Sequence, residues 1–218
     1  MFTIEASKRI LFLIVIFIFI SSLMSMKDSN TDTKSTGNNS QNFEKATFAG
    51  GCFWCMQPPY DQLQGVKETI VGYAGGHTKN PTYEEVCSGT TGHAEAIEVI
   101  YDPKEISYEE LLEVFWMNVD PTTPNQQFAD VGDQYRSAIL YHDEEQKRLA
   151  EKSKEDLEKS GRFKKPIVTE ITKAAIFYKA EDYHQKYYQK NPFQYKFYRF
   201  GSGRDQYLKK TWADQKKE

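Results

Sequence analysis

The sequence predicts an α+β fold built on a mixed sheet with helices packed mainly on one of its faces. Two observations lead there. Apolar runs of strand length recur at residues 46–49, 66–73, 95–101 and 135–141, and helix signals fall between the first pair and the last pair but not between the middle two. The resulting order is strand, helix, strand, strand, helix, strand, with a further helix and strand after it. Helices that return the chain to one sheet cover one of its faces, which is the α+β arrangement.

The first run, Ala46-Thr47-Phe48-Ala49, ends at Gly50-Gly51, and glycine at such a turn supplies backbone angles that other residues resist. A helix starts at Cys52, and Pro58-Pro59 makes it either short or bent before Gln64-Gly65, because proline disrupts a helix interior. Residues 66–73 form the second strand, stopped by Gly75-Gly76. Residues 81–89 form a short helical turn and loop. The third strand spans 95–101. Ser107 with Glu110 is a capping box opening a helix over 108–118, which Asp120-Pro121 stops. A polar loop with Pro124 and Gly132 leads to the strand at 135–141. Asp143 caps a charged helix ending at Ser160-Gly161, where glycine suits the C-cap. A further strand is expected at 167–172 and a short helix at 181–190, ended by Asn191-Pro192. The tail from Phe193 is expected to wrap the domain as irregular structure. The first six elements fit the ferredoxin-like split β-α-β pattern.

Ahead of the domain, Lys8-Arg9 precedes an unbroken apolar run from Ile10 to Ile20. That run is short for a bilayer span and has the length of a signal-peptide core behind a basic segment. Residues 1–25 therefore read as a secretory signal peptide or an uncleaved N-terminal membrane anchor through residues 10–20, both of which place the domain outside the cytoplasm; the remaining alternative is a cytoplasmic protein with a buried apolar terminus. Residues 26–42 turn to Ser, Thr, Asn, Asp and Lys, the composition of a disordered linker. The domain is expected over 43–218, a length that suits one core. A net charge of −3 with mixed signs argues against a nucleic-acid surface. Three cysteines are too few for a disulfide scaffold and fit redox or catalytic use better.

The chemistry centres on Gly50-Gly51-Cys52-Phe53-Trp54-Cys55-Met56. A cysteine at a helix N-terminus meets unpaired N–H groups and the positive end of the helix dipole, so Cys52 is expected to be a low-pKa nucleophile. A bare Cys-x-x-Cys reads equally as redox, metal-binding or accidental. Phe53 and Trp54 between the thiols either build an apolar wall for a substrate with a small apolar group or are ordinary core residues. Glu95 shares its strand face with Ile97, Val99 and Tyr101. Desolvation there would raise its pKa and make it a proton donor near neutral pH; the alternative is an edge carboxylate that reaches water. His93 points to the opposite face and reads as structural. His77 and His142 read as solvated, and Tyr187, Tyr188 and Tyr198 as packing. The run from Glu144 to Lys159 is a solvated helix face. The histidine spacing does not suit a zinc site, so no metal is expected.

Several blocks together resemble the peptide methionine sulfoxide reductase A family. They are Gly51-Cys52-Phe53-Trp54-Cys55; Asn80-Pro81-Thr82-Tyr83 and Val86-Cys87-Ser88-Gly89 with Thr91-Gly92-His93-Ala94-Glu95; Gln134-Tyr135-Arg136-Ser137; and Tyr183-His184-Gln185 with Asn191-Pro192. The resemblance runs from about Phe48 to the C-terminus. It implies reduction of the S epimer of methionine sulfoxide, free or in proteins, and hence repair after oxidative stress. It implies Cys52 as nucleophile and Glu95 as the acid that protonates the sulfoxide oxygen. Tyr83 and Tyr135 are implied as phenols that hydrogen-bond that oxygen. Phe53 and Trp54 would hold the substrate methyl group, with Asp130 and His184 lining the same site.

The resemblance further implies no bound cofactor, regeneration by an external dithiol of thioredoxin-like type, and a monomer. Many family members resolve the sulfenic acid with cysteines in the C-terminal tail. Here no cysteine follows Cys87, and Tyr195-Lys196-Phe197 stands in that tail. Cys55, one turn from Cys52, is therefore the expected resolving thiol, with Cys87 or direct attack by an external thiol as alternatives. Two rival readings are a thioredoxin-like disulfide oxidoreductase, which needs neither Glu95 nor the phenols, and a methionine-binding module that uses the aromatic wall without turnover.

Overall fold

The computed structural model describes residues 42–214. The expected signal peptide or anchor, and all but the last residue of the expected linker, lie outside the described residues. Among the described residues, no helix is long and apolar enough to cross a membrane.

Eight strands and seven α-helices follow in chain order: β1 (Glu44–Gly50), α1 (Phe53–Asp61), β2 (Val66–Ala74), α2 (Tyr83–Cys87), β3 (Ala94–Tyr101), α3 (Tyr108–Trp116), β4 (Gln126–Gln127), β5 (Asp130–Val131), β6 (Ser137–Tyr141), α4 (Glu144–Lys159), β7 (Glu170–Lys173), β8 (Tyr178–Lys179), α5 (Tyr187–Lys190), α6 (Pro192–Gly201) and α7 (Arg204–Thr211). Six strands form one sheet in the order β7-β6-β1-β3-β2-β8, and β4 pairs with β5 as a separate ribbon. Every pairing in the large sheet is antiparallel except β6 with β7. The sheet is therefore mixed.

The pleat sorts the side chains. Phe48, Ile97, Val99 and Ile139 face α1, α3 and α4, where they meet Met56, Tyr60, Leu111, Leu112, Phe115 and Ala150. Phe48 is the hub: its ring stacks on Tyr60 at 5.5 Å and on Phe115 at 5.4 Å, geometry that adds to the burial of large aromatic surface. The opposite face is nearly all small, with Ala49, Ala74, Ala94, Ala96 and Ala138, and packs against Ala174 and Phe177. Helices thus lie on one face, as expected.

The helix signals work as the sequence implies. Ser107 accepts from the Glu110 N–H while the Glu110 carboxylate accepts from the Ser107 N–H at 2.8 Å. Helix α1 is short: it ends at Asp61 with both prolines inside it. Helix α4 buries only Gln146 and Ala150, so its charged run is solvated.

Four expectations are corrected. Residue 135 does not begin a strand: Asp133–Tyr135 is a 3-10 turn entered through Gly132 at φ 142°, and β6 starts at Ser137. The strand expected from 167 starts at Glu170, because the Val168 N–H is taken by the Pro121 carbonyl at 2.8 Å before the chain meets β6. The helix expected over 181–190 is reduced to α5. Lys186 adopts a left-handed conformation, φ 53°, and the Gln185 amide bridges the Val71 N–H and carbonyl at 3.0 and 2.8 Å. The tail is not irregular but forms α6 and α7. Pro192 starts α6, where its missing N–H costs nothing, and Gly203 at φ 79° leads into α7. Phe193, Phe197 and Phe200 on the outer side of α6 are exposed while Tyr195 is buried. Phe193, Phe197 and Phe200 stand at i, i+4 and i+7, so the helical period is present, with its apolar stripe on the exposed side.

Candidate active site

The site is assembled where β1 ends and α1 begins. Gly51 makes the turn at φ +76°, and a Cβ there would lie 2.4 Å from Gln127 Cβ, so only glycine fits. Gln127 is itself fixed, accepting from the Asp120 N–H at 2.9 Å and donating to the Asp120 carbonyl at 2.7 Å. This turn sets Cys52 at the N-cap of α1, where its side chain caps no N–H.

The first N–H of α1 is occupied: Phe53 N donates to Glu95 Oε2 at 3.0 Å. Glu95 reaches it from β3, on the face carrying Ile97 and Val99, and is buried. The alternative of an edge carboxylate reaching water is therefore ruled out. Burial pushes its carboxyl up to about 8, with the Phe53 N–H opposing, the charges of Asp130 and Cys55 adding, and Arg204 opposing. At neutral pH Glu95 holds its proton.

The two thiols are hydrogen-bonded to one another; Cys52 is 6% exposed and Cys55 fully buried. All three cysteines are free thiols, and Cys87 is exposed. The low pKa expected for Cys52 is not found. Burial raises it first, and the Cys55 hydrogen bond, the Cys55 charge and Glu95 raise it further; only the Tyr198 hydroxyl lowers it. The lowered thiol is Cys55, at about 7: the Cys52 hydrogen bond lowers it, burial opposes, and Arg204 and Arg199 lower it further. The pair thus gives up one proton near neutrality, and that titration belongs to the two thiols together. The helix-terminus argument fails at Cys52 because Glu95 has taken the nearest N–H and water is excluded.

The aromatic wall is both core and site. Phe53 is buried against Val71 and Tyr73. Trp54 is half-buried, stacks on Tyr187 at 3.8 Å and donates its Nε1–H to His184 Nδ1 at 3.0 Å. Burial lowers His184 to about 4, so its ring is neutral, and the bond from Trp54 assigns the ring proton to Nε2. That atom makes no hydrogen bond and lies 3.8 Å from Glu181 Oε2.

Tyr83 opens α2 and its ring lies 4.4 Å from His184. Burial raises the phenols of both Tyr83 and Tyr135, and the Glu95 charge raises both further. Both therefore stay protonated and remain donors. Asp130, on β5, accepts from the Tyr198 hydroxyl, and burial raises its carboxyl. The structure thus brings Cys52, Cys55, Phe53, Trp54, Tyr83, Glu95, Asp130, Tyr135 and His184 to one end of the sheet.

Sequence reasoning missed several residues here. Tyr198, read as packing, is hydrogen-bonded to Cys52 as well as Asp130, and its ring meets Trp54 edge-on at 6.0 Å. Glu181 accepts from the Tyr83 N–H at 3.0 Å and from the Tyr73 hydroxyl at 2.7 Å. Arg199 and Arg204 reach the thiol turn from the tail. No local signal marks these residues, since they matter only once α6 and α7 fold back. His93 is structural, as expected, accepting from the Gly76 N–H at 3.0 Å. His142 is exposed, as expected, and is bonded to the Thr47 hydroxyl at 2.9 Å.

Known proteins share this arrangement. The family model for peptide methionine sulfoxide reductase matches residues 44–216. The chain is 57% identical over 175 residues to a peptide methionine sulfoxide reductase MsrA of Bacillus velezensis, covering 80% of this chain and 99% of that relative. It is 58% identical over 172 residues to one of Listeria monocytogenes, covering 79% and 97%. Among solved structures, reduced Mxr1 from Saccharomyces cerevisiae matches with a TM-score of 0.67 at 35% identity, covering 71% of this chain and 89% of that one. Methionine sulfoxide reductase A of Corynebacterium diphtheriae matches with a TM-score of 0.63 at 37% identity, covering 71% and 77%. A model match over most of the chain, with relatives above half identity along nearly their whole length, leaves one conclusion: this chain belongs to the peptide methionine sulfoxide reductase family.

Proposed function

We propose that this chain, a peptide-methionine (S)-S-oxide reductase that repairs oxidised proteins, works through Cys52 as nucleophile and Glu95 as proton donor. One observation carries the reading. A thiol at the start of α1 and a buried, protonated carboxyl on β3 are bridged by a single N–H, that of Phe53. A sulfoxide sulfur becomes electrophilic when its oxygen is protonated or hydrogen-bonded. Glu95 gives its proton to that oxygen, and Tyr83 and Tyr135 donate to it. The negative charge of the thiol pair passes to Cys52 through the thiol–thiol hydrogen bond. Cys52 Sγ then attacks the sulfoxide sulfur to form an S–S bond; the hydroxyl moves to Cys52 Sγ as the S–O and S–S bonds to the methionine sulfur break, which releases methionine and leaves Cys52 as a sulfenic acid.

The Phe53 and Trp54 wall, fixed by neutral His184, takes the substrate methyl group, and Asp130 with Tyr198 lines the pocket. Cys55 is the resolving thiol: its Sγ attacks Cys52 Sγ, hydroxide leaves with a proton as water, and a Cys52–Cys55 disulfide forms. An external dithiol of thioredoxin-like type returns two electrons and two protons, so no bound cofactor takes part. The order β6-β1-β3-β2, with helices after β1 and β3, supports the ferredoxin-like split β-α-β description. We further propose an extracytoplasmic monomer, either exported or membrane-anchored, on the basic and apolar N-terminal pattern.

The test is turnover of both epimers of a blocked methionine sulfoxide with dithiothreitol. The expected result is consumption of the S epimer alone, abolished by Cys52→Ser. Disulfide exchange with no turnover of either epimer would overturn the reading in favour of a disulfide oxidoreductase.

A further inference from the structure

Arg204 is an unusual cation. It is 1% exposed, and its hydrogen bonds go to neutral acceptors: the Gly50 carbonyl at 3.0 Å, the Asn118 carbonyl at 2.9 Å and Met56 Sδ at 3.6 Å. Its guanidinium also lies 4.7 Å from the Phe128 ring centroid. A buried guanidinium without an anion is costly. Yet its contacts at Gly50 and Met56 lie on either side of the Cys52–Cys55 turn, so the positive charge sits beneath the two thiols. Arg199, half-buried on α6, closes the same turn by donating to the Cys55 carbonyl at 3.2 Å; its own carboxylate partner is Asp205 at 2.7 Å. The anion that this arrangement faces is the thiolate of the pair, with Asp130 and Glu95 also within reach of its charge.

We propose that Arg204, seconded by Arg199, is a positioning residue for the resolving step: a buried counter-ion, delivered by the C-terminal helices, that holds Cys55 as the attacking thiolate. The inference rests on Cys55 being the resolving thiol. Once Cys52 carries the sulfenic acid, Cys55 Sγ forms the S–S bond and the Cys52 S–O bond breaks. Cys55 is oxidised, Cys52 is reduced, and the departing hydroxide takes a proton to leave as water. The first step leaves Cys55 protonated and Glu95 ionised, so the Cys55 proton passes to the Glu95 carboxylate and leaves with the hydroxide as water, while Arg204 stabilises the thiolate formed in this closed site. The other titratable groups facing the pair are Glu95, Asp130, Tyr135, Tyr195 and Tyr198. Of these the carboxyls are raised by burial, and Arg204 lowers Cys55 along with both. In a chain without tail cysteines, the tail thus supplies charge to the resolving thiol instead of being the resolving thiol.

The test uses the full chain. Wild-type protein is first given one equivalent of methionine sulfoxide without reductant, and the Cys52–Cys55 disulfide is sought by peptide mass. Its absence overturns the assignment of Cys55, and this inference with it, before any variant is made. With the disulfide present, Arg204→Met and Arg204→Lys are compared by two readouts: the pH midpoint of Cys55 alkylation, and the equilibrium of the disulfide with dithiothreitol. The expected result for Arg204→Met is a midpoint raised by about one pH unit. Loss of the cation destabilises the reduced thiolate form, so the equilibrium should move about tenfold toward disulfide, about 30 mV more negative. Arg204→Lys should keep most of the wild-type behaviour. A folded Arg204→Met with unchanged midpoint and equilibrium overturns the proposal, as does Arg204→Lys shifting as far as Arg204→Met, which would show shape rather than charge at work. If Arg204→Met does not fold, Arg199→Met carries both readouts, and no upward shift in its midpoint is an overturning result.

Discussion

Glu95 shows how one residue can be placed correctly and still have its neighbours misjudged. Its strand parity alone places it against Ile97 and Val99, and desolvation raises it to about 8. What parity cannot give is its bond to the Phe53 N–H, which removes the donor expected to favour a Cys52 thiolate. The resulting pair of titrations predicts a bell-shaped pH profile of kcat/KM. Activity should rise as the thiol pair loses its first proton near 7 and fall as Glu95 loses its own near 8. Glu95→Gln should cost about 10²–10⁴-fold in turnover and remove the alkaline limb; initial rates from pH 5 to 10 check both. The same carboxyl affects stability. Its folded pKa lies above its unfolded value, so its contribution is full below about 4.5 and is lost as pH rises through about 8. Urea midpoints of wild type should therefore fall between pH 5 and pH 8.5, and Glu95→Gln should flatten that fall. Tyr83→Phe should cost about tenfold, because Tyr135 remains as a second donor.

At the scale of elements, the turn between β1 and α1 is the most constrained piece of backbone. Gly51→Ala would force a Cβ to within 2.4 Å of Gln127 at a positive φ, so it should destabilise by about 1–3 kcal/mol and lower activity by moving Cys52; chemical denaturation and turnover check the two effects. The helix caps are ordinary by comparison. Ser107→Ala removes one half of the capping box of α3 and should cost about 1 kcal/mol without changing kcat, because α3 lies away from the thiols. The Ser107 cap was legible because its signal is four residues long. The two-residue strands β4, β5 and β8 were not, because so short a segment has no period to read. The C-terminal helices were missed for another reason: Gly201-Ser202-Gly203 reads as a breaker, and the helical stripe of Phe193, Phe197 and Phe200 faces solvent instead of a core.

Across the molecule, the C-terminal helices convert a sheet edge into a closed site. Tyr195 packs with Cys52 and Cys55 in one cluster, and Arg204 ties α7 to the end of β1. A chain ending at Asn191 should therefore keep the sheet and lose turnover by at least about tenfold, with both thiols alkylated much faster. Circular dichroism and timed alkylation read these outcomes separately. A chain starting at Phe43 should keep full activity toward blocked methionine sulfoxide, since each site residue described here lies between Gly50 and Arg204.

The sequence by itself determined the order of the principal strands and helices, the face on which Glu95 stands, and the motif blocks that identify the reacting residues. These follow from side-chain period, from caps and glycine turns, and from residue types at fixed spacing, all of which act over a few neighbouring positions. The tertiary structure alone decided that the two thiols titrate as a pair, that Tyr198 faces Cys52, and that Arg199 and Arg204 reach the same turn. Those facts join residues about 140 to 150 positions apart, and their physics is burial and charge in a place closed to water. No local pattern encodes that environment, because it exists only after the last two helices have folded back over the first.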